Sequence, residues 1–153
     1  RIGSNNLFMN NTHVAHDCVI GDNVIFASGA QSAGHVHIGD WAILGGMSGV
    51  HQFCHVGAHS FIGAGSVVVR DVPLYVLALG SHAVPSGINS EGLKRRGFTS
   101  DAVLEIKRAY KTLYRQGLTV SEALTALESK AAECPEVKLF TDFIRNAPRG
   151  IIR

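Results

Sequence analysis

The sequence predicts a β-solenoid plus α fold, in which a parallel β-helix of hexapeptide repeats precedes a small C-terminal helical domain. Three observations support this prediction: a six-residue period of apolar residues, an abrupt change in composition near residue 72, and helix-capping patterns after residue 98. They divide the chain of 153 residues into a β-helix over residues 1–80, a loop over 81–98 and a helical domain over 99–153.

The six-residue period runs without a phase slip through residues 1–72. Every sixth residue from Ile2 onward is large and apolar, except for Ser32, and the residue four positions later is never charged. An α-helix would show a period of about 3.6 residues and an ordinary strand a period of about 2. A period of six fits a coil of short strands that turns one large and one small side chain per hexad inward. A β-sandwich of short strands would break the phase.

Three hexads form one triangular coil, so residues 1–72 form four coils of 18 residues each. Successive coils are separated by roughly 4.8 Å, the spacing of hydrogen-bonded strands. Residues 18 positions apart therefore stack in columns along the coil axis. Four such columns are His16–Gly34–Gln52, Asp17–His35–Phe53, His13–Gln31–Gly49 and His37–His55.

The two halves of the chain differ sharply in composition. Residues 1–72 contain 11 of the 17 Gly, 7 of the 8 His and no Lys, with a net charge of −2. Residues 73–153 contain all four Pro and 12 of the 14 Lys and Arg, with a net charge of +4. The whole-chain charge of +2 is too small to indicate a nucleic-acid partner, and the sequence has no run of about 18 apolar residues to span a membrane. Because the first residue is Arg1 rather than Met, we expect further coils upstream.

Two of the three cysteines, Cys18 and Cys54, occupy the small inward position of the hexad and lie two coils apart. Two coils correspond to roughly 10 Å, which is too long for a disulfide bond. We therefore expect both as reduced core residues in a reducing compartment. No pair of cysteines has the spacing of a metal-binding finger.

Several histidines fall outside the inward positions and are expected on the outer surface. They include His13, His16, His35 and His51. A single outward histidine is most often a solvated surface residue, but seven histidines in four coils, several in adjoining columns, favour a site. A metal ion held by His35 and His37, or by His37 and His55, is one alternative, disfavoured because carboxylate ligands are scarce here.

A general base is the interpretation we prefer for His16. A neutral imidazole can take a proton from an alcohol near neutral pH, and the adjacent Asp17 can fix its tautomer. The columns place the backbone of Gly34 one strand away, where its N–H can stabilise an oxyanion. This arrangement predicts acyl transfer to a hydroxyl group. The sequence lacks a Gly-x-Ser-x-Gly elbow and a nucleophilic Cys–His pair, so we expect direct attack rather than a covalent enzyme intermediate.

Pro73 ends the regular phase because proline cannot donate to the strand ladder, and residues 74–80 are expected to add a last partial coil. The loop that follows, residues 81–98, contains the basic run Lys94, Arg95 and Arg96. We expect this run to lie next to the histidine cluster, where paired guanidinium groups would bind a pyrophosphate.

Three helices are expected after the loop, each with a recognisable N-terminal signal. These signals are Thr99 or Ser100 for the first helix, the capping box Thr119–Glu122 for the second, and Pro135 for the third. The first helix carries a basic surface on its exposed side. This surface comprises Lys107, Arg108, Lys111 and Arg115.

Several segments resemble one family of enzymes. They are NNTHVAHDC at residues 10–18, AGHV at 33–36, GGMSGVHQF at 45–53, INSEGLKRRGF at 88–98, and PEVK and FTDF within 135–143. The whole chain is similar to the C-terminal three-fifths of the bacterial UDP-N-acetylglucosamine O-acyltransferases, and the segment 88–98 is the most specific match. The resemblance implies a left-handed β-helix that forms a homotrimer, with active sites between subunits and residues 81–98 as a substrate-binding loop.

The activity that the resemblance implies is transfer of an (R)-3-hydroxyacyl group from acyl carrier protein to the 3-hydroxyl of UDP-N-acetylglucosamine. This reaction is the first step of lipid A synthesis, takes place in the cytoplasm and uses no metal or other cofactor. Acyl carrier proteins are acidic, so the basic surface on the first predicted helix is the expected docking surface.

The resemblance also implies roles for individual residues. His16 matches the general base, Asp17 its orienting partner and Gly34 the oxyanion hole. The residues that match substrate contacts are His13, His35, His51, Gln52, His82, Asn89, Glu91, Arg95 and Arg96. Ala64 matches the position that limits the acyl slot, and its small side chain predicts a long or intermediate acyl chain. Family members also use an acidic and a basic residue upstream, so we expect this chain alone to lack part of the site.

Two other functions remain open from the sequence. The first is the sister UDP-3-O-acylglucosamine N-acyltransferase, which shares the coil and a catalytic histidine but is not expected to share the loop at residues 89–98. The second is a non-enzymatic, trimeric β-helix that serves as a scaffold or binds a sugar nucleotide.

Overall fold

The computed structural model describes residues 1–147 and 149–153. Two-residue strands follow one another every six residues through the first half, which confirms the predicted hexad period. They are β1 Leu7–Phe8, β2 His13–Val14, β3 Val19–Ile20, β4 Ile25–Phe26, β5 Gln31–Ser32, β6 His37–Ile38, β7 Ile43–Leu44, β8 Gly49–Val50, β9 His55–Val56, β10 Phe61–Ile62 and β11 Val67–Val68.

The strands stack into a three-sided parallel coil. Face A contains β3, β6 and β9, face B contains β1, β4, β7 and β10, and face C contains β2, β5, β8 and β11. Each strand pairs in parallel with the strand three further along, so that His13 lies opposite Gln31 and His37 opposite His55. The pairing confirms the predicted columns of residues 18 positions apart and excludes the β-sandwich.

The interior of the coil is filled as the hexad pattern predicts. The large side chains that point inward include Ile20, Phe26, Ile38, Leu44, Val56 and Ile62, all buried. Cys18 and Cys54 are also buried core residues, and neither forms a disulfide in the described structure. Ser32, which interrupts the apolar period, is fully buried, and its hydroxyl oxygen lies 3.7 Å from the Cys18 thiol.

Each corner of the coil contains one residue with a left-handed backbone, and these residues recur at every sixth position. They are Asn5, Asn11, Asp17, Asn23, Gly29, His35, Trp41, Met47, Phe53, His59 and Gly65. This conformation lets the corner N–H reach the preceding coil, as where the His35 N–H donates to the His16 carbonyl at 3.0 Å. Asn, Asp, His and Gly tolerate left-handed geometry better than other residues, whereas bulky residues such as Trp41 and Phe53 adopt it only with strain.

The last part of the coil differs from the prediction in one respect. β12, Val76–Leu79, pairs in parallel with β10 and confirms the partial coil at residues 74–80. The segment 81–98, expected to be a loop, instead contains the strand β13, Val84–Ile88, and the short helix α1, Ser90–Arg95. β13 pairs antiparallel with β12 and so supplies hydrogen-bond partners to the otherwise unpaired edge of that strand. Asn89 caps α1, because its side chain accepts a hydrogen bond from the Gly92 N–H.

The three predicted helices are confirmed as α2, Ser100–Tyr114, α3, Val120–Glu133, and α4, Pro135–Arg145. Thr119 and Glu122 form the expected capping box. The helices pack on the end of the coil, where the Tyr75 hydroxyl donates to the Glu136 carbonyl at 2.9 Å. Among the described residues, no helix has both the length and the apolar character required to cross a membrane.

Close packing between coils predicts different effects for two glycine-to-alanine substitutions. A methyl group on Gly39 would lie 2.5 Å from the Ala58 backbone nitrogen, whereas one on Gly49 would meet no atom within 4 Å. We expect Gly39→Ala to lower the free energy of unfolding by about 1–3 kcal/mol, the usual cost of overpacking. Gly49→Ala serves as the matched control and should not destabilise the chain.

Denaturation at equal protein concentration would measure both changes. A Gly39→Ala chain as stable as the Gly49→Ala chain would contradict the inter-coil contact.

Candidate active site

The corner between faces C and A carries a cluster of two histidines and a carboxylate. His16 Nδ1 lies 3.0 Å from Asp17 Oδ2, and His35 Nε2 lies 3.7 Å from the same oxygen. Asp17 and His35 occupy the left-handed corner position in successive coils. The hydrogen bond from His16, followed by the charge of His35, holds the pKa of the Asp17 carboxyl below its ordinary value. The carboxylate therefore lies between the two imidazoles and can orient both.

Gly34 lies directly beneath the His16 ring. A methyl group at Gly34 would lie 2.8 Å from both Cε1 and Nε2 of His16, so only glycine leaves room for the imidazole. Within the described residues, the Gly34 N–H makes no hydrogen bond to the protein. Two hexads earlier, the equivalent N–H of Asp22 donates to the Asp40 carboxylate at 2.8 Å. This backbone position can therefore bind an anionic oxygen, as the predicted oxyanion hole requires.

A groove of about 500 Å³ runs along face C beside this cluster. His13, Gly34 and His51 are among its lining residues, so the structure brings these predicted residues together. Gln52 follows His51 at the same corner and is exposed. Ala64 is exposed at the corner between faces B and C, at the other edge of face C, and its effect on acyl-chain length stays a prediction.

Phe53 was not singled out from the sequence, although it shares a column with Asp17 and His35. Its ring stacks on His35 with centroids 4.8 Å apart, and the His35 ring meets the His16 ring edge-on at 5.1 Å. Phe53 thus supports the second histidine from the next coil. The signal that could have revealed it is the six-residue recurrence of Asn, Asp and Gly at the corner position, because a bulky residue there is unusual.

The second group of predicted site residues lies elsewhere. Asn89, Glu91, Arg95 and Arg96 line a groove of about 730 Å³ that extends from face B to the corner between faces A and B. Within one chain the arginines therefore lie away from His16, at a corner where Arg96 contacts His59, another of the seven histidines of the coil. The reason is that β13 joins the sheet of face B, so α1, which follows it, lies at a different corner of the triangle.

This second groove contains an aromatic cluster that the sequence did not predict. The Arg96 guanidinium lies 5.3 Å from the centre of the Trp41 ring, and its Nη1 is 3.1 Å from His59 Nδ1. Phe98 meets the His59 ring edge-on at 4.9 Å. Burial, together with the charge of Arg96, lowers the pKa of His59 to about 4. A neutral His59 accepts a hydrogen bond from Arg96 and fixes the direction of this guanidinium.

The remaining residues that the sequence singled out lie outside both of these clusters. His82 is exposed and lines a separate groove with Arg70 and Arg153, away from both sets of residues. Lys107, Lys111 and Arg115 of the predicted basic surface line a groove of about 500 Å³, whereas Arg108 pairs with Glu105 at 2.8 Å. His37 stacks on His55 at 4.5 Å on face A and does not join His35.

The coil and the matches to known families define the class of protein. Residues 1–31 match the family model for the bacterial transferase hexapeptide (six repeats), in agreement with the six-residue period of the coil. Residues 71–152 match the model described as UDP N-acetylglucosamine O-acyltransferase, domain 2. The chain belongs to the UDP-N-acetylglucosamine O-acyltransferase family.

Individual relatives agree with this assignment. A protein of Thiobacillus denitrificans, named acyl-[acyl-carrier-protein]--UDP-N-acetylglucosamine O-acyltransferase, is 56% identical over all 153 residues, which correspond to 59% of its length. The solved UDP-N-acetylglucosamine acyltransferase of Francisella novicida superposes with a TM-score of 0.97 at 45% identity, covering 99% of this chain and 56% of that one. The solved enzyme of Moraxella catarrhalis superposes with a TM-score of 0.97 at 44% identity, and the match covers 100% of this chain and 60% of that one. The chain thus spans about three-fifths of these relatives.

Proposed function

We propose that the chain forms part of an acyltransferase that moves an (R)-3-hydroxyacyl group from acyl carrier protein to the 3-hydroxyl of UDP-N-acetylglucosamine. The observation that carries this proposal is the His16 ring, held between the Asp17 carboxylate and the Gly34 amide. The names of the relatives support the same donor and acceptor. The match of residues 71–152 to the O-acyltransferase model favours this activity over that of the sister N-acyltransferase.

His16 acts as the general base. Its Nδ1–H donates to Asp17, which leaves the lone pair on Nε2 free to take the proton from the sugar hydroxyl. The sugar oxygen then attacks the thioester carbonyl, and the Gly34 N–H donates to the oxyanion that forms. Collapse of this intermediate breaks the C–S bond, and His16 returns the proton to the departing thiolate. No covalent bond to the protein forms, in agreement with direct attack.

The active site is shared between two copies of the chain in a homotrimer. The sugar of a bound sugar nucleotide must lie at the general base, and its diphosphate must lie at cationic groups. His16 and Arg95, however, lie at different corners of one coil. A second copy can present Asn89, Glu91, Arg95 and Arg96 to the face C groove of the first. In this arrangement the arginines bind the diphosphate and Asn89 and Glu91 contact the nucleoside.

The donor protein docks on the basic groove of α2. Lys107, Lys111 and Arg115 present three cationic groups along one side of this helix, next to β13 and α1. An acidic carrier protein is attracted to such a groove from a distance, and its attached acyl chain can then extend towards the coil. The reaction uses no resident cofactor and takes place in the cytoplasm, where buried thiols such as Cys18 and Cys54 stay reduced.

Substitution of His16 tests the proposed reaction. In a chain extended to the full length of its relatives, His16→Ala should lower kcat for acyl transfer by about 10²- to 10⁴-fold, because it removes the general base. Gly34→Ala should also lower kcat, because the added methyl group displaces the His16 ring. Transfer of radiolabelled acyl groups to UDP-N-acetylglucosamine would measure both effects.

His37→Ala is the matched control, since His37 lies on face A and away from the cluster. Unchanged activity of His16→Ala in a folded trimer would show that another group acts as the base.

Charge reversal at Lys111 tests the docking surface. Lys111→Glu should raise the KM for acyl carrier protein by about three- to tenfold and leave kcat nearly unchanged, because the groove contributes to encounter and not to chemistry. Lys138→Glu on α4 makes the same change of charge outside the groove and serves as the control. Equal KM values for the two variants would contradict docking at α2.

A further inference from the structure

We propose that His16, Asp17 and His35 form a binding site for Zn²⁺ or a similar divalent transition-metal ion, which inhibits acyl transfer when bound. This inference goes beyond the proposed reaction, which needs no metal. Among the described residues, these three alone bring three ligand atoms of histidine, cysteine or carboxylate side chains within 4.8 Å of one another. The inhibitory consequence rests on the proposed function, whereas the binding does not.

The spacing of the donor atoms suits a tetrahedral ion. Zinc binds imidazole nitrogen and carboxylate oxygen at roughly 2.0–2.1 Å, so neighbouring ligand atoms in a tetrahedron lie about 3.3 Å apart. Asp17 Oδ2 lies 3.0 Å from His16 Nδ1 and 3.7 Å from His35 Nε2, on either side of that distance. Two imidazoles and one carboxylate are also a known ligand set of zinc sites that keep an open fourth position.

The backbone holds the three donors before any ion arrives. His35 donates its N–H to the His16 carbonyl at 3.0 Å, so the two ligand-bearing corners belong to hydrogen-bonded coils. Phe53 stacks on His35 and limits the rotation of its ring. Small rotations of the side chains are therefore sufficient to converge on an ion, and little conformational entropy is lost on binding.

The charge of the cluster also favours a cation. In the described structure, Asp17 pairs with the two imidazoles and with no Lys or Arg side chain. The carboxylate therefore brings to the cluster a negative charge that no paired Lys or Arg side chain balances. All three side chains are accessible to solvent, which gives an ion a direct path to the site.

A bound ion would block the general base. When the neutral imidazole of His16 coordinates the ion through Nδ1, its single ring proton resides on Nε2, so Nε2 has no lone pair left to take the proton from the sugar hydroxyl. We therefore expect zinc to be a reversible inhibitor whose effect a chelator removes.

The His37–His55 pair on face A serves as an internal comparison for the proposed zinc site. His37 and His55 stack with ring centroids 4.5 Å apart and nearly parallel planes, and no carboxylate completes a three-ligand group with them in the described structure. Two imidazoles without a carboxylate make a weaker zinc site than two with one. The dependence of binding on Asp17 therefore distinguishes the proposed site from adventitious binding to paired histidines.

Isothermal titration of the tag-free chain with Zn²⁺ tests the proposal. We expect one ion per chain, with Asp17→Asn and His35→Asn each weakening binding at least tenfold, while His37→Asn binds as the unmodified chain does. Asparagine occupies the same corner position at Asn5, Asn11 and Asn23, so both site variants keep the turn. Co²⁺ should give the visible absorption of a tetrahedral complex in the unmodified chain and lose it in Asp17→Asn.

Three results would overturn the proposal: no zinc binding, equal affinity in Asp17→Asn, or loss of binding in His37→Asn. Zinc binding is measured without substrate, so it can succeed or fail whatever His16→Ala does to acyl transfer. In the full-length enzyme, zinc should abolish acyl transfer and EDTA should restore it. Zinc bound at one ion per chain without loss of activity would overturn the inhibition.

Discussion

One residue in every six adopts a left-handed backbone at a corner of the coil, and both candidate sites are built on columns of these residues. The conformation is required because the corner N–H must turn towards the carbonyl of the neighbouring coil, as at His35 and His59. Stacking then places Asp17, His35 and Phe53 in one column and Trp41 and His59 in another. An insertion of one residue between His16 and Gly34 would separate these two residues and shift all later members of both columns.

Each candidate cluster has a bulky residue at the left-handed corner position, Phe53 in one and Trp41 in the other. Left-handed geometry costs a residue with a β-carbon about 1–2 kcal/mol. Trp41 holds the Arg96 guanidinium, and Phe53 supports His35. The inter-coil hydrogen bonds offset the cost of the left-handed backbone. The aromatic side chains provide rigid surfaces against which the polar side chains pack.

The sequence was sufficient for the coil and for the His16 site, because a strict period determines which residues stack. His16 over Gly34 follows from an interval of 18 residues, and helix ends follow from local caps such as Thr119 with Glu122. The period does not determine the handedness of the coil or the path of the chain after Pro73. The pairing of β13 with the edge of β12 was therefore not predicted. The position of Arg96 beside Trp41 and His59 depends on this pairing and was not predicted either. Such contacts depend on long-range packing and leave no periodic signal.

The separation of the two grooves on one chain leads to the central claim, that each active site joins two copies. Complementation in full-length mixed trimers tests it most directly. His16→Ala chains and Arg95→Ala/Arg96→Ala chains, each nearly inactive alone, should regain activity when refolded together in equal amounts. Random assembly would restore about one quarter of the interfaces, since His16 would come from one variant and both arginines from the other. Mixed trimers as inactive as either variant alone would contradict a shared site.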